Sequence, residues 1–274
     1  MKARINGVEI AFEVTGSGPP VLLVSGTGVG GEIWHREQVP ALARDYTCIS
    51  FDLRGSGDSE APPGPYTVAQ MAEDALALLD HLEIERARCI GLSLGSAILQ
   101  ELALARPEAV EAMVLLSTWS SSPTEHHIRR WFEARMASLE QAPLEVFGAY
   151  SFWMWAPSFV DDQPEELAQH IAFFRANSGS QPLHAYVSHF QADLGHDTAA
   201  RLSQIDRPTL VIHGDEDLIT LPRYNRRVAA LIPGARIASV TGAGHMALLE
   251  RPDAVNSSIL RFLAGETVGD SGTP

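Results

Sequence analysis

Short, unbroken apolar runs alternate along this chain with longer stretches in which apolar residues recur every three or four positions. The runs VLLVSG (21–26), YTCISFD (46–52), ARCIGLS (87–93), VEAMVLLST (110–118), TLVIHGD (209–215) and ARIASVTG (235–242) are β-branched or Leu-rich and too short for stable helices. Strands apolar on both faces belong in a parallel sheet that is covered on both sides. Between them, TVAQMAEDALALLDHL (67–82) sets Met71, Ala75, Leu78, Leu79 and Leu82 on one stripe behind Thr67 as N-cap. A second helix is predicted over 94–107, stopped by Pro107, and a third over 251–263. Strands alternating with helices imply right-handed crossovers and an α/β sheet. The opening ARINGVEIAFEVTGSG, with a turn at Asn6-Gly7, predicts an antiparallel meander at one sheet edge.

The pattern changes between Trp119 and about Ser203. Strand runs stop, four of the five tryptophans gather here (Trp119, Trp131, Trp153, Trp155), and helices are expected over 129–141, 164–178 and 183–194. The expected organisation is a core over 1–118, a helical insertion over 119–203, the core again over 204–264, and a disordered Gly- and Thr-rich tail over 265–274.

Composition narrows the possibilities without naming a function. The 274 residues are 45% hydrophobic and 20% charged, and length is ample for a large core. A net charge of −14 argues against a nucleic-acid or anionic-membrane partner, both of which need a basic surface. The start lacks an apolar signal region, and no run approaches the ~20 residues of a membrane span, so a cytoplasmic home is expected. Cys48 and Cys89 sit in strand-like runs without metal-ligand spacing and read as small buried hydrophobes. The histidines of the insertion, His126 and His127 among them, have no partner at ligand spacing, so no metal is expected.

Chemistry concentrates around Gly91-Leu92-Ser93-Leu94-Gly95, where a predicted strand meets a predicted helix. In that context G-x-S-x-G is a nucleophile elbow: the turn is so tight that side chains at Gly91 and Gly95 would clash, and the serine hydroxyl is lifted above the helix N-terminus. A serine needs a base, and a base needs an orienting acid, in the chain order Ser, acid, His. TLVIHGDEDLIT supplies Asp215, Glu216 and Asp217; Asp217, deepest in the loop, is the expected acid, with Asp215 capping the turn. SVTGAGHMALLERP supplies His245 after a Gly-rich loop at the end of the last strand. GTGVGG at 26–31 departs from the G-x-G-x-x-G dinucleotide fingerprint and argues against a nucleotide reading. Asp52, Arg54 and Asp58 resemble a turn that has a structural use in a known family, and His213, within a strand, reads as a hydrogen-bonded core residue.

These residues, with FDLRGSGDSEAPPGPYTVAQMAEDALALLDHLEIERARCIGLSLG, resemble the α/β-hydrolase superfamily, and within it the 3-oxoadipate enol-lactonase and small-molecule esterase branch. The resemblance covers nearly the whole chain apart from parts of the insertion. It implies a mostly parallel eight-stranded sheet with helices on both faces and a helical cap, and a cofactor-free enzyme acting on a small molecule. It also implies Ser93 as nucleophile, His245 as base, Asp217 as acid, and the backbone N–H groups of Thr27 and Leu94 as oxyanion hole. Many relatives carry His-Gly where this chain has Ser25-Gly26-Thr27-Gly28, but a backbone donor does not depend on its side chain. Gly26, Trp119, Trp131, Trp153 and Trp155 are the expected pocket residues. The family's strand order puts Cys48 and Cys89 on either side of the VLLVSG strand, about 9–10 Å apart at ~4.8 Å per strand. A disulfide needs Cα atoms within about 7 Å, so both should be free thiols. The expected reaction is ester or lactone hydrolysis; C–C hydrolysis, perhydrolysis and lyase chemistry use the same residues, and a ligand-binding receptor is a further alternative. Oligomeric state is not legible.

Overall fold

The computed structural model describes residues 1–141, 152–177 and 181–267. Eight strands form one sheet in the order β1-β2-β4-β3-β5-β6-β7-β8. They are β1 (Lys2–Ile5), β2 (Val8–Gly16), β3 (Pro20–Val24), β4 (Thr47–Phe51), β5 (Ala87–Leu92), β6 (Val110–Leu116), β7 (Thr209–Gly214) and β8 (Arg236–Val240). β1 and β2 form the expected antiparallel edge, with Asn6 and Gly7 both at positive φ in the turn. β2 joins β4 antiparallel, and every pair from β4 to β8 is parallel.

Successive residues of a strand face opposite sides, and the two cores follow from this. Leu22, Val24, Ile49, Phe51, Met113 and Leu115 face α2 (Val68–His81) and α3 (Leu94–Ala105). Val21, Leu23, Ile90, Leu92, Val114 and Leu116 face α1 (Trp34–Leu42) and the C-terminal helix. Thr67 caps α2, its hydroxyl accepting the Gln70 N–H at 3.1 Å. The helix expected over 251–263 divides into α9 (Ala247–Glu250) and α10 (Pro252–Leu263), because Pro252 has no N–H with which to continue the first turn. α1, with Pro40 inside it, and the Arg-rich α8 (Pro222–Leu231) are further helices that the sequence reading did not name.

Between β6 and β7 the described residues form α4 (His126–Gln141), α5 (Pro157–Asp162), α6 (Pro164–Asn177) and α7 (Leu183–Gly195). The base of this cap is pinched by a bridge between Ser121 and Asp197, with Ser122 N–H donating to the His196 carbonyl and Thr198 N–H to that of Ser120. At the C-terminus, residues 268–274 of the expected disordered tail lie outside the described residues. Within residues 265–267, Arg236 donates to the Glu266 carbonyl and Arg261 to that of Thr267. Among the described residues no helix is long and apolar enough to cross a membrane.

Candidate active site

Ser93 stands between β5 and α3 with φ 51° and ψ −117°, a backbone that costs a non-glycine residue about 1–3 kcal/mol. The neighbours enforce it. A Cβ on Gly95 would lie 2.0 Å from the Val24 carbonyl oxygen, and one on Gly91 would lie 2.5 Å from the Gly95 oxygen. The Ser93 N–H is bonded to the Leu116 carbonyl of β6 at 2.9 Å, which locks the turn to the sheet. Leu94 is the first residue of α3, where N–H groups have no partner within the helix and the macrodipole is positive.

Beside this elbow runs the loop after β3. Val29 N–H closes a turn onto the Gly26 carbonyl at 3.2 Å, with Thr27 and Gly28 at its corner and Gly28 at φ +69°. The Ser25 hydroxyl donates to the Gly30 carbonyl and accepts the Trp34 indole N–H, both at 3.0 Å. Ser25 therefore braces the loop from below. Gly26 adjoins Ser93: a Cβ there would meet the Ser93 Cβ at 3.4 Å.

The three acids after β7 have separate tasks. Asp215 accepts the Gly242 N–H at 2.8 Å and ties the β7 and β8 loops together. Glu216 accepts the N–H and hydroxyl of Ser158 in cap helix α5. Asp217, almost fully buried, meets His245: its Oδ2 is 3.0 Å from the ring Nδ1. The same carboxylate accepts the Thr220 hydroxyl at 2.6 Å and the N–H groups of Ile219 and Thr220 at 2.8 and 3.0 Å. The His245 carbonyl accepts the Ser117 hydroxyl at 2.9 Å, fixing the loop as well as the ring. Glu250 in α9 accepts the Gly244 N–H on both oxygens and the Ala156 N–H of the cap, and burial pushes its carboxyl up to about 7.

Ser93 and His245 line one cavity of about 50 Å³, together with Gly26 and Thr27. Its other walls are mainly apolar and aromatic, with Trp131 and Phe132 from α4, Tyr186 and Phe190 from α7, and Phe174 from α6, and α4 also brings Arg135 to the wall. Of the expected pocket residues, Gly26 and Trp131 are therefore on the wall, whereas Trp119, Trp153 and Trp155 are not. Trp119 is sealed in the core, its indole N–H on the Ser122 hydroxyl and its rings against Phe132 and His196. Trp155 stacks on Phe159 and on His170, which also neighbour each other, and Trp153 is half exposed. Phe132, Arg135, Phe174, Tyr186 and Phe190 are wall residues that the sequence reading missed. The i,i+4 spacing of Tyr186 and Phe190 on α7 is the signal that could have found two of them.

The remaining candidates have structural positions. Asp52 accepts the N–H groups of Gly31 and Asp58 at 2.7 and 2.8 Å, and burial raises its carboxyl. Arg54 forms a buried two-bond fork with Asp74, both bonds 2.6 Å. His213 is buried on β7 with Nδ1 3.0 Å from the Gly214 carbonyl oxygen. Cys48 and Cys89 are free thiols on β4 and β5, separated by β3. Among the described residues no group of three or more His, Cys, Asp or Glu side chains has the arrangement of a metal site.

Comparison with known proteins adds an independent observation. A family model described as the alpha/beta hydrolase fold matches residues 19–252. A protein of Mycobacterium tuberculosis named as a non-heme bromoperoxidase is 33% identical over 263 residues, covering 94% of this chain and 98% of that one. One of Azorhizobium caulinodans named as a carbamate hydrolase is 31% identical over 259 residues, covering 93% and 94%. The solved enol-lactonase of Burkholderia xenovorans superposes with a TM-score of 0.86 at 28% identity, covering 96% of this chain and all of that one (100%).

Proposed function

We propose that this chain, which belongs to the alpha/beta hydrolase fold family, is a serine hydrolase that cleaves a carboxylic ester or lactone of a small apolar or aromatic molecule. The observation that carries the reading is the convergence of Ser93 and His245 on one apolar cavity, with Asp217 on the far nitrogen of the imidazole. With its Nδ1 proton held by Asp217, His245 has Nε2 free to act as base. It takes the Ser93 proton as Oγ attacks the substrate carbonyl, and the developing oxyanion is met by the N–H groups of Leu94 and Thr27. Collapse expels the alcohol, which recovers the proton from His245. Water, deprotonated by the same imidazole, then releases the acid and restores Ser93.

The cavity supports the substrate class. About 50 Å³ with a largely apolar lining, five aromatic rings among it, favours a compact acyl group or lactone ring that is mainly apolar. Among the described residues, Arg135 is the one charged side chain on the wall besides the His245 imidazole. The relative named for enol-lactone chemistry supports the ester and lactone choice.

A second reading is favoured by the relative named as a bromoperoxidase: the same acyl-enzyme is attacked by hydrogen peroxide instead of water and releases a peracid. Both readings need Ser93. The test is intact mass after fluorophosphonate treatment of wild type and Ser93→Ala. A single adduct on wild type and none on the variant is expected, followed by hydrolysis across a panel of para-nitrophenyl esters and lactones. A folded wild type that takes no adduct and cleaves no ester rejects the proposal. Peracid formation in acetate and peroxide, with ester hydrolysis absent, selects the second reading.

A further inference from the structure

Cap helix α7 sends two polar side chains into the Thr27–Gly28 turn. His189 and Asp193 stand one helical turn apart, and both are fully buried. Asp193 Oδ2 lies 2.6 Å from the Thr27 hydroxyl, and His189 Nδ1 accepts the Gly28 N–H at 3.2 Å. The other ring nitrogen of His189 is 2.8 Å from the Arg54 carbonyl oxygen. These partners dictate the tautomer: the Gly28 N–H can only donate, so Nδ1 is bare, and the carbonyl can only accept, so Nε2 carries the proton. Burial keeps the ring neutral, pushing it down to about 4 against the opposing pull of the Arg54 carbonyl. Arg54 is itself fixed by its fork with Asp74, so His189 is anchored on a rigid base.

The turn thus has three restraints. Val29 N–H holds the Gly26 carbonyl from within, His189 holds the next amide, and Asp193 holds the Thr27 side chain. In a trans peptide the C=O and N–H point in opposite directions. Fixing the Gly26 oxygen and the Gly28 amide therefore fixes where the Thr27 N–H points. Stability alone does not account for the arrangement. Asp193 Oδ1 has no hydrogen-bond partner among the described residues, a desolvation penalty that an apolar residue would avoid.

We propose that His189 and Asp193 are positioning residues, which hold the Thr27 N–H toward the developing oxyanion so that the cap helix completes the oxyanion hole. This rests on the serine-hydrolase reading above. It makes the seating of the cap and the competence of the site one event.

The test uses para-nitrophenyl acetate as substrate and phenylboronic acid, which forms a tetrahedral adduct on an activated serine, as transition-state mimic. Complete loss of an oxyanion donor costs about 10²–10³ in kcat, so mispositioning in His189→Leu or Asp193→Leu should cost about ten- to a hundredfold. KM should stay within about twofold, and phenylboronic acid should weaken by the same factor as kcat falls, as expected for an interaction realised only in the transition state. His189→Asn, whose amide oxygen can replace Nδ1, should recover most of the loss. If a leucine variant fails to fold, Thr27→Val, which removes only the hydroxyl on Asp193, should show the same kcat loss. Folded variants that keep the wild-type kcat, or change KM alone, overturn the positioning role. A wild type inert to ester and fluorophosphonate alike overturns instead the hydrolase reading beneath it.

Discussion

Asp217 Oδ2 lies 3.0 Å from His245 Nδ1 while the same oxygen accepts the Thr220 hydroxyl at 2.6 Å. With two amides on the other oxygen, the carboxylate is held from three further directions, and the imidazole has one orientation in which to meet it. In Asp217→Asn the amide oxygen would satisfy the two backbone donors, leaving the NH₂ toward the ring and forcing the wrong tautomer. In serine proteases the equivalent change costs about 10⁴ in kcat. Turnover on a para-nitrophenyl ester should fall by three to four powers of ten by this analogy, with the circular dichroism spectrum unchanged. Full activity would move the orienting role to another acid.

The crowding at the elbow gives a stability prediction. A Cβ on Gly95 overlaps the Val24 carbonyl, which belongs to a central strand and cannot give way. Gly95→Ala should cost about 3 kcal/mol or more, the upper end for overpacking, and lower soluble yield and melting temperature together. Gly195→Ala, where a Cβ meets nothing within 4 Å, is the control and should melt with wild type.

Arg54 and Asp74 are both nearly inaccessible, at 5% and 2% side-chain exposure. Removing one partner strands the other charge. Asp74→Ala should therefore destabilise by about 3–5 kcal/mol in urea titration. Because Arg54 also anchors His189 through its carbonyl, ester turnover in the surviving folded fraction should fall too. A variant as stable as wild type would show that the Arg54 charge finds water.

Glu250 makes the acid side of the stability profile unusual. Burial raises its carboxyl from an ordinary value of 4.5 to about 7, outweighing the amides of Ala156 and Gly244 that favour the charged form. Between those two values the folded state binds more protons than the unfolded, so this group's contribution to stability declines as pH rises from about 4.5 to 7. Glu250→Gln lacks that titration. The melting temperature of wild type minus that of the variant should be larger at pH 5 than at pH 8, read by calorimetry in both buffers. A difference independent of pH would place the carboxyl at its ordinary value.

What the sequence disclosed, and what it withheld, follows from how each signal arises. β3, β5, β6 and β7 were legible because a strand covered on both faces must be apolar at consecutive positions. The elbow was legible because two glycines around a serine at a strand–helix junction have a steric cause. That Asp217, rather than Asp215 or Glu216, is the acid beside His245 agrees with the depth of each in its loop. The aromatic wall was not legible, since Trp119 in a core and Trp131 on a cavity have the same apolar pattern. Nor were His189 and Asp193, because two polar residues one turn apart on a helix ordinarily face solvent. α8 hid for the opposite reason: Arg223, Arg226 and Arg227 mask the Tyr224 and Val228 stripe that packs on the sheet.

The placement of the two cysteines turns the sheet into its own gauge. Cys48 and Cys89 flank β3, point into opposite cores, and are pushed by burial up to about 11 and 12, so neither forms a reactive thiolate while the strands hold together. A thiol reagent at mildly alkaline pH consequently modifies only molecules in which the central strands have separated. The labelling rate reports the deepest opening of the fold rather than fraying at its edge, and comparing the two thiols tells whether both layers of the core come apart together.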